Sequence, residues 1–165
     1  MNILALSSRV GEALLARGWQ LATAESCTGG AIAAAITDIA GSSQWFDRGF
    51  VTYSNQSKQD MLGVRAETLH TAGAVSEATV VEMVSGALAR SQARVTLAVS
   101  GIAGPGGGSA GKPVGTVCLA WVVEGEQPVV RTGQFAGDRA AVRAQTVECA
   151  LQGVLDMLTR SDAGA

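Results

Sequence analysis

The chain holds one histidine, His70, in 165 residues. A zinc site built from several imidazoles is therefore impossible within one chain, and no Cys-x-x-Cys pair is present to replace it. A Ser-His-Asp or Cys-His relay would have to run through His70. That residue sits in RAETLHTAG, between two helical patterns, and reads as a half-exposed connector residue. Any nucleophile here therefore needs a lysine or a tyrosine as its proton acceptor.

Charge is also scarce. Asp, Glu, Lys and Arg make up 16% of the chain, with a formal net charge of −2, against about 25% charged residues in an average soluble protein. A near-neutral, slightly acidic chain offers no electrostatic footprint for nucleic acid. Three tryptophans, three phenylalanines and one tyrosine are too few for a base-stacking platform. No apolar run approaches the ~18 residues of a membrane-spanning helix; the richest stretches are residues 31–36 and 117–123. The N-terminus has no basic residue ahead of its apolar part, and Arg9 and Glu12 interrupt it, so it does not read as a signal peptide. Cys27, Cys118 and Cys149 are odd in number and far apart. That pattern fits reduced thiols and a cytoplasmic protein.

What is present is apolar bulk, at 47% of residues, which excludes intrinsic disorder. The length fits one domain over residues 1–165, large enough to bury a core without staples. The last residues, about 160–165, are expected to fray. Low charge and abundant alanine suit a buried subunit interface, so a homodimer is the expected assembly.

Helical spacing over residues 4–17 ends at Gly18. Residues 19–25 read as a strand, followed by the turn Ser26-Cys27-Thr28-Gly29-Gly30 and an Ala-rich helix ending near Ala40. A second strand spans 48–53. Ser54 is placed to cap a helix from Asn55 to Leu62 that Gly63 stops. Ser76 opens a longer helix to Ala89, with Val80, Val81, Val84, Ala87 and Leu88 inward. Val95 to Val99 is continuously apolar, as in a sheet interior. Strands at 114–123 and 128–135 flank EGEQ as a hairpin, and Asp138 caps a last helix to about Leu158. Strands alternating with helices, then a hairpin, predict an α/β fold: a mixed sheet with helices on both faces. Ligands in such sheets bind beyond the strand carboxyl ends, where the glycine-rich turns 26–30 and 100–111 fall.

Four motifs carry chemistry. In ATAESCTGG, Ser26 stands where a strand turns into a helix, and Gly29 and Gly30 allow close backbone approach. Free N–H groups at the helix start suit an oxyanion or a phosphate; a plain N-cap role for Ser26 or Thr28 is the alternative. Cys27 is the rival nucleophile, but its side chain should point away from that of Ser26. In VTYSNQSKQ, Tyr53 ends a strand and Lys58 lies one turn into the next helix. Lysine serves as a general base only if its pKa falls from ~10.4. A solvated lysine is the ordinary alternative, weakened because Lys58 and Lys112 are the only lysines beside ten arginines. In VSGIAGPGGGSAGKPVG, Gly106 to Lys112 has GxxxxGK spacing, but Pro113 stands where a P-loop needs Ser or Thr. Gly104 and Gly106 lack a third glycine at Ser109, so the dinucleotide fingerprint fails too. The loop, starting at Ser100, remains a candidate anion cradle. In FAGDRAAVR, Arg139 opposes the dipole of its helix, which a paired acid or a ligand phosphate would offset.

Together, TAESCTGG (23–30), ITDIAGSSQWFDRGFVTYSNQSK (36–58), GAVSE (73–77), SGIAGPGGGSAGKPVGTV (100–117) and GDRAAVR (137–143) resemble the CinA C-terminal domain family, in particular its stand-alone nicotinamide-nucleotide amidases. The resemblance implies a three-layer α/β/α sandwich around a mixed, mostly parallel sheet of about five strands. It implies hydrolysis of nicotinamide mononucleotide (NMN) to nicotinate mononucleotide and ammonia, a step of pyridine nucleotide salvage, without a metal or other cofactor. It assigns a serine nucleophile and a lysine base, here Ser26 and Lys58, with Tyr53 beside them. The expected substrate contacts are Cys27, Thr28, Gly29, Gly30, Ser100, Gly101, Gly104, Gly106 and Arg139. The alternative is a non-catalytic nucleotide-binding or regulatory module, since some members are described through competence or DNA damage.

Overall fold

The computed structural model describes residues 2–164. Its elements run in the order α1 (Ile3–Arg17), β1 (Leu21–Glu25), α2 (Ala31–Thr37), a 3-10 turn (Ser42–Gln44), β2 (Phe46–Val51), α3 (Asn55–Leu62), α4 (Ala66–Ala72), α5 (Glu77–Ala89), β3 (Val95–Gly101), β4 (Thr116–Val123), β5 (Val129–Gln134) and α6 (Arg139–Ala163). The sheet order is β2-β1-β3-β4-β5. β1 pairs in parallel with both β2 and β3, and β4 is antiparallel to β3 and to β5. Four strands thus point one way and β4 alone runs back. The three inner strands are buried along almost their whole length, whereas β2 and β5 at the edges are half-exposed. That explains why the inner strands read as apolar runs without alternation.

Helices cover both faces. On one, α1, α2 and α6 bury Leu6, Val10, Leu14, Ile32, Ile36, Leu151 and Val154 against Leu97, Val99 and Trp121. On the other, α3, α4 and α5 bury Leu62, Leu69, Val80, Met83 and Val84 against Ala98 and Ala120. This is an α/β/α sandwich. Two glycines permit its closest approaches. A Cβ at Gly153 would meet the Trp121 ring at 2.2 Å, and one at Gly86 would lie 2.0 Å from the Leu62 carbonyl oxygen.

Caps set several boundaries. The Asn2 side chain accepts from the Ala5 N–H, and Gly18 closes α1 in the left-handed region. Ser54 and Ser57 form a capping box on α3, and Gly63 ends it at φ 70°. Ser76 and Asp138 accept from Thr79 and Ala141 at the starts of α5 and α6. Elsewhere the chain departs from the sequence reading. Trp19 and Gln20 precede β1, α2 stops at Thr37, and β2 ends two residues before Tyr53. His70 is not in a connector but on α4, exposed. In α5, Met83 is buried where Val81 and Leu88 are only partly so. Residues 160–163, expected to fray, form the last turn of α6, where Asp162 pairs with Arg17 and Ser161 donates to Glu126; Ala165 lies outside the described residues. Among the described residues no helix is long and apolar enough to cross a membrane.

The parallel run β2-β1-β3 brings three carboxyl ends to one edge of the sheet. Residues 26–30, 52–58 and 102–113 therefore emerge side by side, and the start of α6 joins them.

Candidate active site

Ser26 continues β1 by one residue, its N–H donating to the Val99 carbonyl at 3.0 Å. Its side chain is 8% exposed. Lys58 enters from the first turn of α3 and is 1% exposed. Its Nζ lies 3.0 Å from Ser26 Oγ and 2.8 Å from the Thr52 carbonyl oxygen. Sequence spacing could not place the two together; the β1–β2 pairing does, because it brings the chain after β2 alongside Ser26. Burial lowers the Lys58 pKa from its usual 10.5, partly offset by the neighbouring Cys27 thiol. A neutral amine in hydrogen-bond contact with a hydroxyl is the arrangement a general base requires. Cys27 is 6% exposed, and burial pushes its thiol up to about 11. What favours Ser26 over Cys27 is the contact: the Lys58 amine meets the serine oxygen.

Two residues that sequence reasoning passed over hold the turn. Glu25, fully buried at the end of β1, accepts from Thr28 Oγ1 at 2.6 Å and from the N–H groups of Ile32 and Ala33, both at 2.9 Å. It is the anion at the start of α2, whose N-cap Gly30 supplies no side-chain bond. The expectation that the start of this helix offers free donors to a ligand is corrected: Glu25 takes two of them, and the Gly29 N–H bonds the Ser26 carbonyl. Thr28 is buried against Glu25, and Gly29 and Gly30 (φ 58° and 102°) make the turn. None of the three lines the cavity described next. An acidic residue just before a helix start was the signal for Glu25. The second holder is Arg143 on α6, whose Nε donates to the Cys27 carbonyl at 3.2 Å and Nη2 to the Thr28 carbonyl at 2.9 Å. Nothing local in the sequence marks it.

A cavity of about 280 Å³ opens over the pair. The structure brings together Ser26, Cys27, Tyr53, Lys58, Ser100, Gly101, Gly104, Gly106 and Arg139 on its walls, as expected, and adds Asn55, Ala74 and Val75. Ser100 is 1% exposed. Tyr53 was expected beside Lys58 but bonds elsewhere. It is 62% exposed, and its hydroxyl accepts from Arg139 Nη2 at 3.0 Å. Arg139 Nη1 donates to the Gly104 carbonyl at 2.8 Å, so this guanidinium is held by a phenol and a carbonyl rather than an acid. Gly104 is needed at its place, with φ 84° and a hypothetical Cβ 2.4 Å from Val114. Lys112 Nζ reaches the Ala72 carbonyl at 2.9 Å and straps the glycine-rich loop across to α4. Beyond Arg139 a second cavity of about 660 Å³ lies against Pro105, Val114 and Ala140. Among the described residues no group of three or more His, Cys, Asp or Glu side chains is placed to hold a metal ion.

Comparisons of sequence and of fold point to one family. The sequence model of the CinA C-terminal domain matches residues 3–158. The nicotinamide-nucleotide amidohydrolase PncC of Escherichia coli (strain K12) is 57% identical over 151 residues, 92% of each chain. The protein of the same name from Pseudomonas putida is 54% identical over 157 residues, 95% of this chain and 98% of its own. Among solved structures, the competence damage-inducible protein A (ComA) of Klebsiella pneumoniae superposes with a TM-score of 0.93 at 48% identity, covering 96% and 98% of the two chains. The competence/damage inducible protein CihA of Agrobacterium tumefaciens gives 0.92 at 49%, covering 95% of each.

Proposed function

The chain belongs to the CinA C-terminal domain family, and from that premise we propose that it hydrolyses the carboxamide of NMN to nicotinate mononucleotide and ammonia. The carrying observation is the contact of the buried Lys58 amine with Ser26 Oγ at 3.0 Å. The names of the bacterial relatives supply the substrate class.

In this reading Ser26 Oγ attacks the carboxamide carbon while neutral Lys58 takes its proton. The Thr52 carbonyl fixes one amine hydrogen, leaving the nitrogen lone pair for the serine. The tetrahedral oxyanion is held by amide N–H groups of the turn. That of Cys27, which lines the cavity, has no backbone acceptor among the described residues, and the amide following a nucleophile is a common donor for this purpose. Loss of one such donor raises a barrier by about 3 kcal/mol. The C–N bond then breaks as Lys58 returns its proton to the departing ammonia. Water attacks the acyl ester with Lys58 again as base, and Ser26 is restored. The cationic pyridinium of the substrate favours the neutral amine by like-charge repulsion. Arg139, at the rim, is the group suited to the phosphate.

The test is ammonia release from NMN in EDTA, wild type beside Ser26→Ala. Turnover lost in a variant that melts like the wild type is the expected result. Wild-type turnover by Ser26→Ala would sink the nucleophile assignment. A folded wild type that NMN stabilises but that releases no ammonia would make it a binding module instead.

A further inference from the structure

The two carbonyls that Arg143 holds belong to consecutive peptides of the nucleophile turn. A trans peptide is planar, so its C=O and N–H point in opposite directions. The Thr28 carbonyl meets Arg143, and the N–H in the same plane, that of Gly29, turns back to the Ser26 carbonyl at 3.0 Å. The N–H that shares a plane with the Ser26 carbonyl is that of Cys27, which is presented on the other side. Thr28 O also accepts from the Ala31 N–H at 3.0 Å, so the guanidinium completes a carbonyl already engaged in the turn.

We infer that Arg143 is a positioning residue: by holding the Cys27 and Thr28 carbonyls it fixes the nucleophile turn so that the Cys27 N–H, on the cavity wall, stays free as an oxyanion donor. The inference rests on the amidase reading. Glu25 forms the opposing jaw, fixing the Thr28 side chain and the start of α2. The rigid fork of a guanidinium suits the task because it spans two carbonyls at once, whereas a lysine ammonium is a point donor. No carboxylate pairs with Arg143 among the described ion pairs, so none competes with the backbone for its Nε and Nη2. Arg139, one turn earlier on α6, bonds Gly104 and Tyr53 and lines the cavity over Ser26, whereas Arg143 lines only the neighbouring cavity of about 660 Å³, which the two share. The two arginines therefore have separable roles.

The experiment compares Arg143→Ala and Arg143→Lys with the wild type, in steady-state NMN hydrolysis and in amide hydrogen exchange at Gly29 and Ala31. Arg143→Ala is expected to lose about 100-fold in kcat with KM near the wild-type value, as for loss of one oxyanion donor. Added guanidinium restores part of that rate, and exchange at Gly29 and Ala31 quickens. Arg143→Lys, reaching one carbonyl, falls between Arg143→Ala and the wild type and covers the case in which Arg143→Ala does not fold. A raised KM with kcat intact would make Arg143 a substrate ligand and overturn the inference. Exchange at the turn unchanged in both variants would overturn it as well. A wild type that releases no ammonia, while exchange still quickens in the variants, would remove the amidase reading and leave the clamp standing.

Discussion

Lys58 is an ammonium precursor with almost no water around it and no carboxylate beside it; its contacts are a carbonyl and a hydroxyl. Its pKa is lowered by burial, so the folded protein binds this proton less readily than the unfolded chain. Stability therefore carries no cost above the ordinary lysine pKa, a growing one as pH falls from there to the lowered value, and a constant one below it, where folded and unfolded chains are both protonated. Activity follows the same titration: kcat/KM rises with pH through the lowered Lys58 pKa and then levels, before the Cys27 thiol titrates at about 11. The kcat limb lies at lower pH than the kcat/KM limb, because the bound pyridinium repels the protonated amine. A rate independent of pH across this range would remove Lys58 as the base. Lys58→Met is expected to abolish turnover, at least ~1,000-fold, without lowering the melting temperature at neutral pH. Residue by residue, a glycine-rich strand-to-helix turn and the scarcity of lysine and histidine singled out Ser26 and Lys58 as candidates, and the fold puts the two in contact. Glu25 and Arg143 were not. One reads as the last residue of a strand and the other as one arginine of ten, and their roles appear only when α2 and α6 meet the turn.

Among the elements, α3 was read to the residue because both its ends are chemically marked, by Ser54 and by Gly63. α4 was missed because it is seven residues long and its N-cap, Arg65, makes no side-chain cap. The last turn of α6 was missed because its support, Arg17 and Glu126, comes from distant segments. The capping box on α3 has a functional side, since Lys58 is only four residues beyond Ser54. Ser54→Ala removes the acceptor for the Ser57 N–H and should weaken α3 by about 1 kcal/mol. The loss should reach the base: kcat falls several-fold while the melting temperature of the whole protein moves little. Unchanged kcat in Ser54→Ala would show that α3 is held by packing alone.

At the scale of the molecule, the alternation of strands and helices indicated an α/β fold with helices on both faces. The order β2-β1-β3-β4-β5 was not legible. Nothing within β1 states that β3, seventy residues on, will be its neighbour, yet that adjacency sets Ser100 beside Ser26. The site is then assembled from parts of unequal firmness. Ser26 extends a strand enclosed by neighbours on both sides, whereas α3 buries only Lys58 and Leu62. Leu62 is thus the one buried apolar side chain that anchors the helix carrying Lys58. Regions with few buried apolar contacts open first on heating. Warming should therefore lift α3 away from the sheet while the sandwich stays intact. The protein should fall silent several degrees below its melting temperature and regain its full rate on cooling, a reversible loss visible as an activity curve displaced from the calorimetric one.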